Sequence, residues 1–390
     1  MAAPSGSRIS KNIILLGLVS LLNDISSEII QPILPLFIAT LGGGSIAVGL
    51  IGGLSDGIPS IFKIFAGYWS DRLGKRKPLV VAGYGISAIA KIILPFSAGW
   101  QSVFVLKAAE RLGKGIRSAP RDAMIAESAE KEVRGRGFGL HRAMDTSGAI
   151  VGSALAYLLW SAGLDFRTIL LIAGVFSIVA LAPFARVQES FKSPAAEMDL
   201  RLSDLSPDLR KFIAIASLFA LGNFSYMFFI LRAQEFFTGA MAVGAPLLLY
   251  ILFNVIYGAL AMPIGIWSDR VGRKNVLTIG YAVFAITSLG FVYVSSAAGL
   301  IVLFALYGLV FAMVDASERA FVSDLSCATV RCTSLGIYYG AVGISAIMSG
   351  LIAGGLWQGL SPGAAFLFGA FASALAALTL WRMNDIGEIL

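Results

Sequence analysis

Gly67-Tyr68-Trp69-Ser70-Asp71-Arg72-Leu73-Gly74-Lys75-Arg76-Lys77 returns about 200 residues later as Gly265-Ile266-Trp267-Ser268-Asp269-Arg270-Val271-Gly272-Arg273-Lys274-Asn275. Each copy closes one long apolar segment and opens the next. A single G-x-W-S-D-R-x-G carries little; two copies in register make the chain a duplication. The echo runs further, at offsets of 197–200 residues: Gly83-Tyr84 answers to Gly280-Tyr281, Asn23 to Asn223, and Arg134 and Gly139 to Arg331 and Gly336.

Composition sets the solvent. Of 390 residues, 57% are hydrophobic and 14% are charged, against roughly 25% charged in a soluble domain, and the mean hydropathy is +0.82. A chain of this size in water cannot hide so much apolar surface, so its surroundings are lipid. The 43 glycines suit helices whose backbones approach closely in a membrane. A net charge of +7 would suit nucleic acid, but the basic residues collect in short loops between apolar stretches. The positive-inside rule accounts for that pattern, so the expected partners are the bilayer and a small solute, not nucleic acid.

A spanning helix takes roughly 20 mainly apolar residues. By that measure the chain holds about twelve spans, near 11–40, 45–69, 78–97, 101–124, 137–161, 166–187, 209–236, 242–267, 276–296, 299–322, 332–358 and 361–383. The gaps after odd-numbered spans, such as Gly42-Gly43-Gly44, Ser97-Ala98-Gly99 and Ser295-Ser296-Ala297, are almost free of lysine and arginine, with Arg167 the exception. The even gaps carry Arg72, Lys75, Arg76 and Lys77, then Lys131, Arg134 and Arg136, then Arg270, Arg273 and Lys274. The even gaps and both termini are therefore expected in the cytosol of a multi-pass plasma (inner) membrane protein. The one long polar stretch, 188–208, reads as a cytosolic linker between an N-terminal bundle, 1–187, and a C-terminal bundle, 209–390. The first apolar segment is too long for the core of a signal peptide and is read as an uncleaved span. Cys327 and Cys332 lie in a short polar stretch without histidine; they read as reduced structural cysteines rather than metal ligands.

Internal repeats in a polytopic membrane chain are the usual architecture of secondary transporters. The doubled stretch resembles motif A of the major facilitator superfamily, G-x-x-x-D-R-x-G-R-R, in the loop after the second span and again after the eighth. The resemblance covers essentially the whole chain and implies an all-α fold of two pseudo-symmetric six-helix bundles. It also implies a cytosolic gate at Gly67, Asp71, Arg72, Gly74 and Arg76 and at Gly265, Asp269, Arg270 and Gly272. The logic is physical as well: Gly67 and Gly265 permit close helix contact, the two aspartates suit a helix N-terminus, and Gly74 and Gly272 allow a sharp turn. By position Asp122 is the expected partner of Arg72 or Arg76. Span 5 also resembles, in part, the antiporter motif C: Gly139, Gly148 and Gly152 match its glycine skeleton, while Ser153 and Ala156-Tyr157 depart from it. Ordinary glycine packing explains the same spacing.

The charges inside the spans carry the chemistry. Lys107, Glu110, Arg111, Lys114, Arg117 and Arg121 fall within a stripe of about 120° on span 4. A central Arg or Lys costs roughly 2.5–3.5 kcal/mol on the insertion scale, so the stripe is expected to face protein or a watery cavity. Span 1 carries Asp24, Glu28 and Gln31 on one face, and Asp24 lies about 20 Å along its helix. Carboxyl groups at that depth are candidates for binding and releasing protons, either alone or as static salt bridges to the span 4 stripe. His141, the only histidine, is a candidate relay with Arg142 and Asp145, or a structural residue. Lys63 and Lys91 add isolated charges. The second half instead offers Asn223, Tyr226, Phe228, Tyr250, Asn254, Tyr257, Tyr338 and Tyr339, and its intramembrane charges are fewer: Arg232 and Glu235 near the outer end of span 7, and Asp315, Glu318 and Arg319 in span 10.

No phosphate loop, histidine cluster or Cys-His pair occurs, so no cofactor, metal or enzymatic reaction is expected. The leading reading is a monomeric secondary transporter, coupled to protons and exporting an anionic or zwitterionic solute. An importer of a small organic anion and a non-transporting receptor on the same fold are the alternatives.

Overall fold

The computed structural model describes residues 10–73, 75–128, 134–189, 205–326 and 331–383, and every regular element among them is helical. In the first half these are α1 (Lys11–Thr40), α2 (Ser45–Leu73), α3 (Lys77–Ile93), α4 (Trp100–Glu127), α5 (Arg134–Ser161) and α6 (Phe166–Val179). In the second they are α7 (Pro207–Gly222), α8 (Tyr226–Gln234), α9 (Met241–Val271), α10 (Arg273–Tyr293), α11 (Ala297–Asp324), α12 (Arg331–Gly359) and α13 (Pro362–Trp381). With α7 and α8 taken as two pieces of one span, this is the twelve-helix membrane fold that the repeat predicts. The 30 residues of α1 reach about 45 Å, more than the ~30 Å hydrocarbon core.

Local chemistry starts these helices where the sequence changes character. Ser10, Asp165, Ser206, Ser225, Ser296 and Ser361 each precede a helix and accept a hydrogen bond from one of its first backbone N–H groups, satisfying a donor that the helix itself leaves open. Gly272, at φ +92°, turns the chain directly from α9 into α10, as expected; Gly74 lies outside the described residues. Among the described residues ten segments are long and apolar enough to cross a bilayer, and α4 and α5 are not among them. They are the two helices that the sequence loads with charged and small polar residues.

Span 7, expected near 209–236, is found at Pro207–Gln234; within it α7 ends at Gly222, Asn223 leaves the helical region at φ −88°, ψ 72°, and Ser225 caps a new helix. Gly222 lies at the break, where a Cβ would come within 3.0 Å of the Gly369 carbonyl.

The chain divides into two compact units, Met1–Gly43 with Ile58–Met198, and Gly44–Gly57 with Asp199–Leu390. The first part of α2 thus goes with the second unit, unlike the boundary drawn from sequence. The reason is backbone contact: a Cβ on Gly49 would stand 2.1 Å from the Gly350 carbonyl, and one on Gly57 would stand 2.5 Å from that of Gly343. Most of the polar stretch 188–208 lies outside the described residues, as does Cys327; of Cys332 only its place in α12 is described.

The units are held differently. In the first, α1 packs on α5 and α6 while α3 packs on α4 and α6, with charged groups threaded between them. The second is welded by rings: Phe219 stacks on Tyr281 at 3.9 Å, Phe229 on Tyr307 at 4.1 Å and Phe291 on Phe366 at 5.1 Å. Much of the aromatic surplus of the second half is therefore core.

Candidate functional site

In the first unit the polar face of α4 is turned inward. Lys107, Glu110, Arg111 and Arg117 are buried, at 2–5% exposure, as the cost of charge in lipid requires. Lys114 is exposed and Arg121 half-buried. Glu110 is the hub: its Oε2 lies 2.6 Å from Lys107 Nζ and 3.2 Å from Arg111 Nε. Burying three charges is tolerable only when each is paired; here two cations share one carboxylate, and the cluster is net positive.

Lys91 of α3 completes it. Fully buried, its Nζ donates to the Asn23 carbonyl (3.3 Å), Asn23 Oδ1 (3.2 Å) and Ser27 Oγ (2.8 Å) of α1. It lines a narrow crevice with Ile30, Leu94, Leu106, Lys107 and Glu110. Sequence reasoning notes Lys91 as a stray charge and misses this bridging role, although a lysine in mid-span is signal enough.

One helical turn nearer the motif A end, a second polar chain begins at Ser87, whose Oγ donates to the Glu110 carbonyl (2.9 Å) and accepts from Arg117 Nη1 (2.6 Å). The Arg117 guanidinium lies 4.2 Å above the Tyr84 ring. Tyr84 Oη stands 3.1 Å from Ser20 Oγ, which accepts from Arg121 Nη1 (3.0 Å) and lies 2.9 Å from His141 Nε2. On its other side His141 Nδ1 is 3.4 Å from Asp145 Oδ2, one turn along α5. His141 thus sits buried between a hydroxyl and a carboxylate. Arg142, grouped with His141 in the sequence, is exposed.

Of the acids of α1, Asp24 does not take up the static salt bridge to α4, one of its two expected roles. Among the described residues Asp24 makes no ion pair; it accepts from Asn23 Nδ2 at 3.4 Å. It lies within the electrostatic reach of Asp145 and Lys114. Glu28 Oε1 accepts from Gln31 Nε2 on its own helix. The α5 glycines decide where these acids sit. A Cβ on Gly148 would meet the Leu21 carbonyl at 2.8 Å and Asp24 Cβ at 3.1 Å; one on Gly152 would meet the Ile25 carbonyl at 2.6 Å and Glu28 Cβ at 2.8 Å. Gly139, the third of the set, has nothing within 4 Å and takes no part in this packing.

At the motif A loops two expectations are corrected. Arg76 does not pair with Asp122: its Nη1 is 2.6 Å from Glu127 Oε1, at the end of α4, while Asp122 Oδ1 is held at 3.0 Å by Arg121 Nη2. Asp122 lies more than a turn short of the loop, and Arg121 beside it neutralises it first. Nor do Gly67 and Gly265 mark close helix contacts, since a Cβ would meet only Ala119 at 3.6 Å in the first case and nothing within 4 Å in the second. Arg72 is exposed, and the side chain of Asp71 is outside the described residues. The second loop repeats the first: Arg273 Nε donates to Asp324 Oδ2 at 2.5 Å and its Nη2 is 3.3 Å from Asp269 Oδ1. Lys77 Nζ donates to the Val187 carbonyl at 2.7 Å, and Lys274 Nζ does the same to that of Met383. Each loop is thus tied to the acid that ends one helix and to a carbonyl just past the last helix of its half. Arg270, expected at the gate, has no such role among the described residues.

The duplicated helices, the doubled loop and the charges turned inward define a membrane transporter built from two repeats. The family model of the Major Facilitator Superfamily matches residues 16–245 and 212–388, and the chain belongs to that family. It is 46% identical over 382 residues to an uncharacterized MFS-type transporter of Methanocaldococcus jannaschii, covering 95% of this chain and 94% of that one. It is 24% identical to the multidrug resistance protein MdtH of Salmonella typhi, over 65% of this chain and 63% of the relative. Among solved structures the nucleoside transporter NupG superposes with a TM-score of 0.78 at 15% identity, covering 96% of this chain and 99% of that one; at that identity the likeness is one of fold.

Proposed function

We propose that this transporter is a proton-coupled exporter of an anionic or zwitterionic solute, working by alternating access in the plasma membrane as a monomer with both termini in the cytosol. The observation that supports the reading is the Ser20–His141–Asp145 chain, whose Asp145 lies within electrostatic reach of Asp24. Lys91, Lys107, Arg111 and Lys114 outnumber Glu110 and supply the positive field an anionic group needs. An ionised Asp24 or Asp145 offers a partner to the cationic group of a zwitterionic solute, and protonating it removes that partner, so proton binding and binding of such a solute oppose one another.

Outward direction is supported by the glycines of α5 that seat Asp24 and Glu28, and by the likeness to a multidrug resistance protein. The test is substrate-driven proton flux in vesicles for Asp24→Asn and Glu28→Gln. Coupling unchanged from the parent protein removes both residues from the mechanism.

A second reading, import of a small organic anion, is favoured by the net positive Lys107–Glu110–Arg111 cluster. Uptake driven by an inward solute gradient, without resistance or efflux, selects it. A stabilisation screen comparing organic anions, cationic drugs and metal chelates identifies the class of solute under either reading.

A further inference from the structure

A common offset of 197 residues relates three positions: Tyr84, Arg121 and His141 in the first unit answer to Tyr281, Glu318 and Tyr338 in the second. In the first, Arg121, Tyr84 and His141 meet at Ser20. In the second, a carboxylate replaces the guanidinium. Tyr281 Oη donates to Glu318 Oε1 at 2.6 Å and Tyr338 Oη donates to Glu318 Oε2 at 2.5 Å.

Glu318 is 7% exposed, and among the described residues no basic group is in ion-pair contact with it. Its surroundings are specific. Tyr281 faces it from α10, and Tyr338 with the neighbouring Tyr339 from α12. Its own helix brings Asp315 and Arg319, which are committed to each other at 2.6 Å, with Asp315 also accepting from Tyr257 of α9 at 3.0 Å. From α7 come rings: Phe219 stacks on Tyr281, and Phe212 packs edge-on to Phe321. A bare carboxylate in such a place keeps its charge at a high desolvation cost. Phenol hydroxyls supply hydrogen bonds but no compensating charge.

We infer that Glu318 is a proton-binding site of the second unit, held between Tyr281 and Tyr338. Both charge states fit the same geometry. The ionised carboxylate accepts from two phenols. The protonated carboxyl donates its O–H to one phenol oxygen, which turns its own hydrogen away, and still accepts from the other. Binding one proton therefore needs no backbone movement and no new partner. The use of that proton in transport rests on the function proposed above; its binding does not.

Infrared difference spectra of the purified full-length protein, recorded between acid and alkaline pH, read the carbonyl stretch of protonated carboxyl groups without substrate or transport. Glu318→Gln is expected to remove one such band. Tyr281→Phe and Tyr338→Phe, which leave the carboxyl in place, are each expected to shift that band, because each deletes one hydrogen bond to it. A Glu318→Gln spectrum that retains every band overturns the inference. If that variant does not fold, the phenylalanine variants decide: a shift in either upholds the site, and no shift in both overturns it. Because no flux is measured, the result stands apart from the Asp24 and Glu28 experiments, and either can fail alone.

Discussion

Arg76 of the first motif A loop pairs with Glu127 at the end of α4, and the same pair recurs in the second unit as Arg273 with Asp324. In both, an arginine at the start of one helix meets the acid near the end of the next. The ion pair therefore closes each α-helical hairpin at the end that the sequence places in the cytosol. Removing one partner of a poorly solvated pair costs about 3–5 kcal/mol. Arg76→Glu is therefore expected to lower the melting temperature of the purified protein sharply, and adding Glu127→Arg to restore most of the loss. Adding Asp122→Arg instead is expected to restore none. Equal rescue by the two would make the pairing nonspecific.

Glu110 neutralises two cations at once. Glu110→Gln is expected to destabilise by about 3–5 kcal/mol, because it takes the carboxylate away from Lys107 in a buried site. Combining it with Lys107→Met removes one stranded charge, so the double variant is expected to be more stable than Glu110→Gln alone. Additive losses in thermal or denaturant unfolding would contradict the coupling.

Gly152 and Gly139 belong to one sequence pattern but to different surroundings. Gly152→Ala forces a Cβ onto the Ile25 carbonyl and is expected to cost about 1–3 kcal/mol. Gly139→Ala meets open space and is expected to be neutral or to gain up to about 1 kcal/mol from helix propensity. Unfolding midpoints of the two variants check this directly. Because the Gly152 contact lies against Glu28, its variant is also expected to alter proton coupling, while Gly139→Ala leaves it unchanged.

His141 tests the relay. In the parent protein, export is expected to rise as the outside is made more acidic than the inside, since protons then run inward down their gradient. Asp145→Asn and His141→Phe are expected to reduce that gradient-driven component at least about tenfold, equivalent to ~1.4 kcal/mol on the rate, while solute binding persists. Solute binding by calorimetry and pH-jump flux in vesicles separate the two effects. A gradient response equal to that of the parent would reduce His141 to a packing role.

Much of this molecule is legible in its residues. The spans, the polar stretch between the halves and the inward face of α4 follow from the price of charge and unpaired backbone in lipid, a strong and local term. The break at Asn223 is less legible, because Gly222, Asn223 and Ser225 are each tolerable in a continuous helix. Partner choice is less legible still. Asp122 is suited by position to Arg76, yet Glu127 has it, because Arg121 occupies Asp122 first.

The repeat holds more than its motif shows. Arg76 and Arg273, Glu127 and Asp324, and Lys77 and Lys274 share one offset, so these contacts are written twice in the chain. The same offset sets Arg121 against Glu318, where the halves differ in charge.

By itself the sequence determined the family, the number of spans and the duplication, because apolar length and a repeated motif are properties of the chain alone. The tertiary structure decided which charge neutralises which, that Gly152 and not Gly139 seats α1, and that Ser20 joins Tyr84, Arg121 and His141. Those outcomes depend on separations of a few ångströms between residues up to 127 positions apart, as Ile25 and Gly152 are. At that scale the geometry of packed helices, rather than residue type, sets the energy.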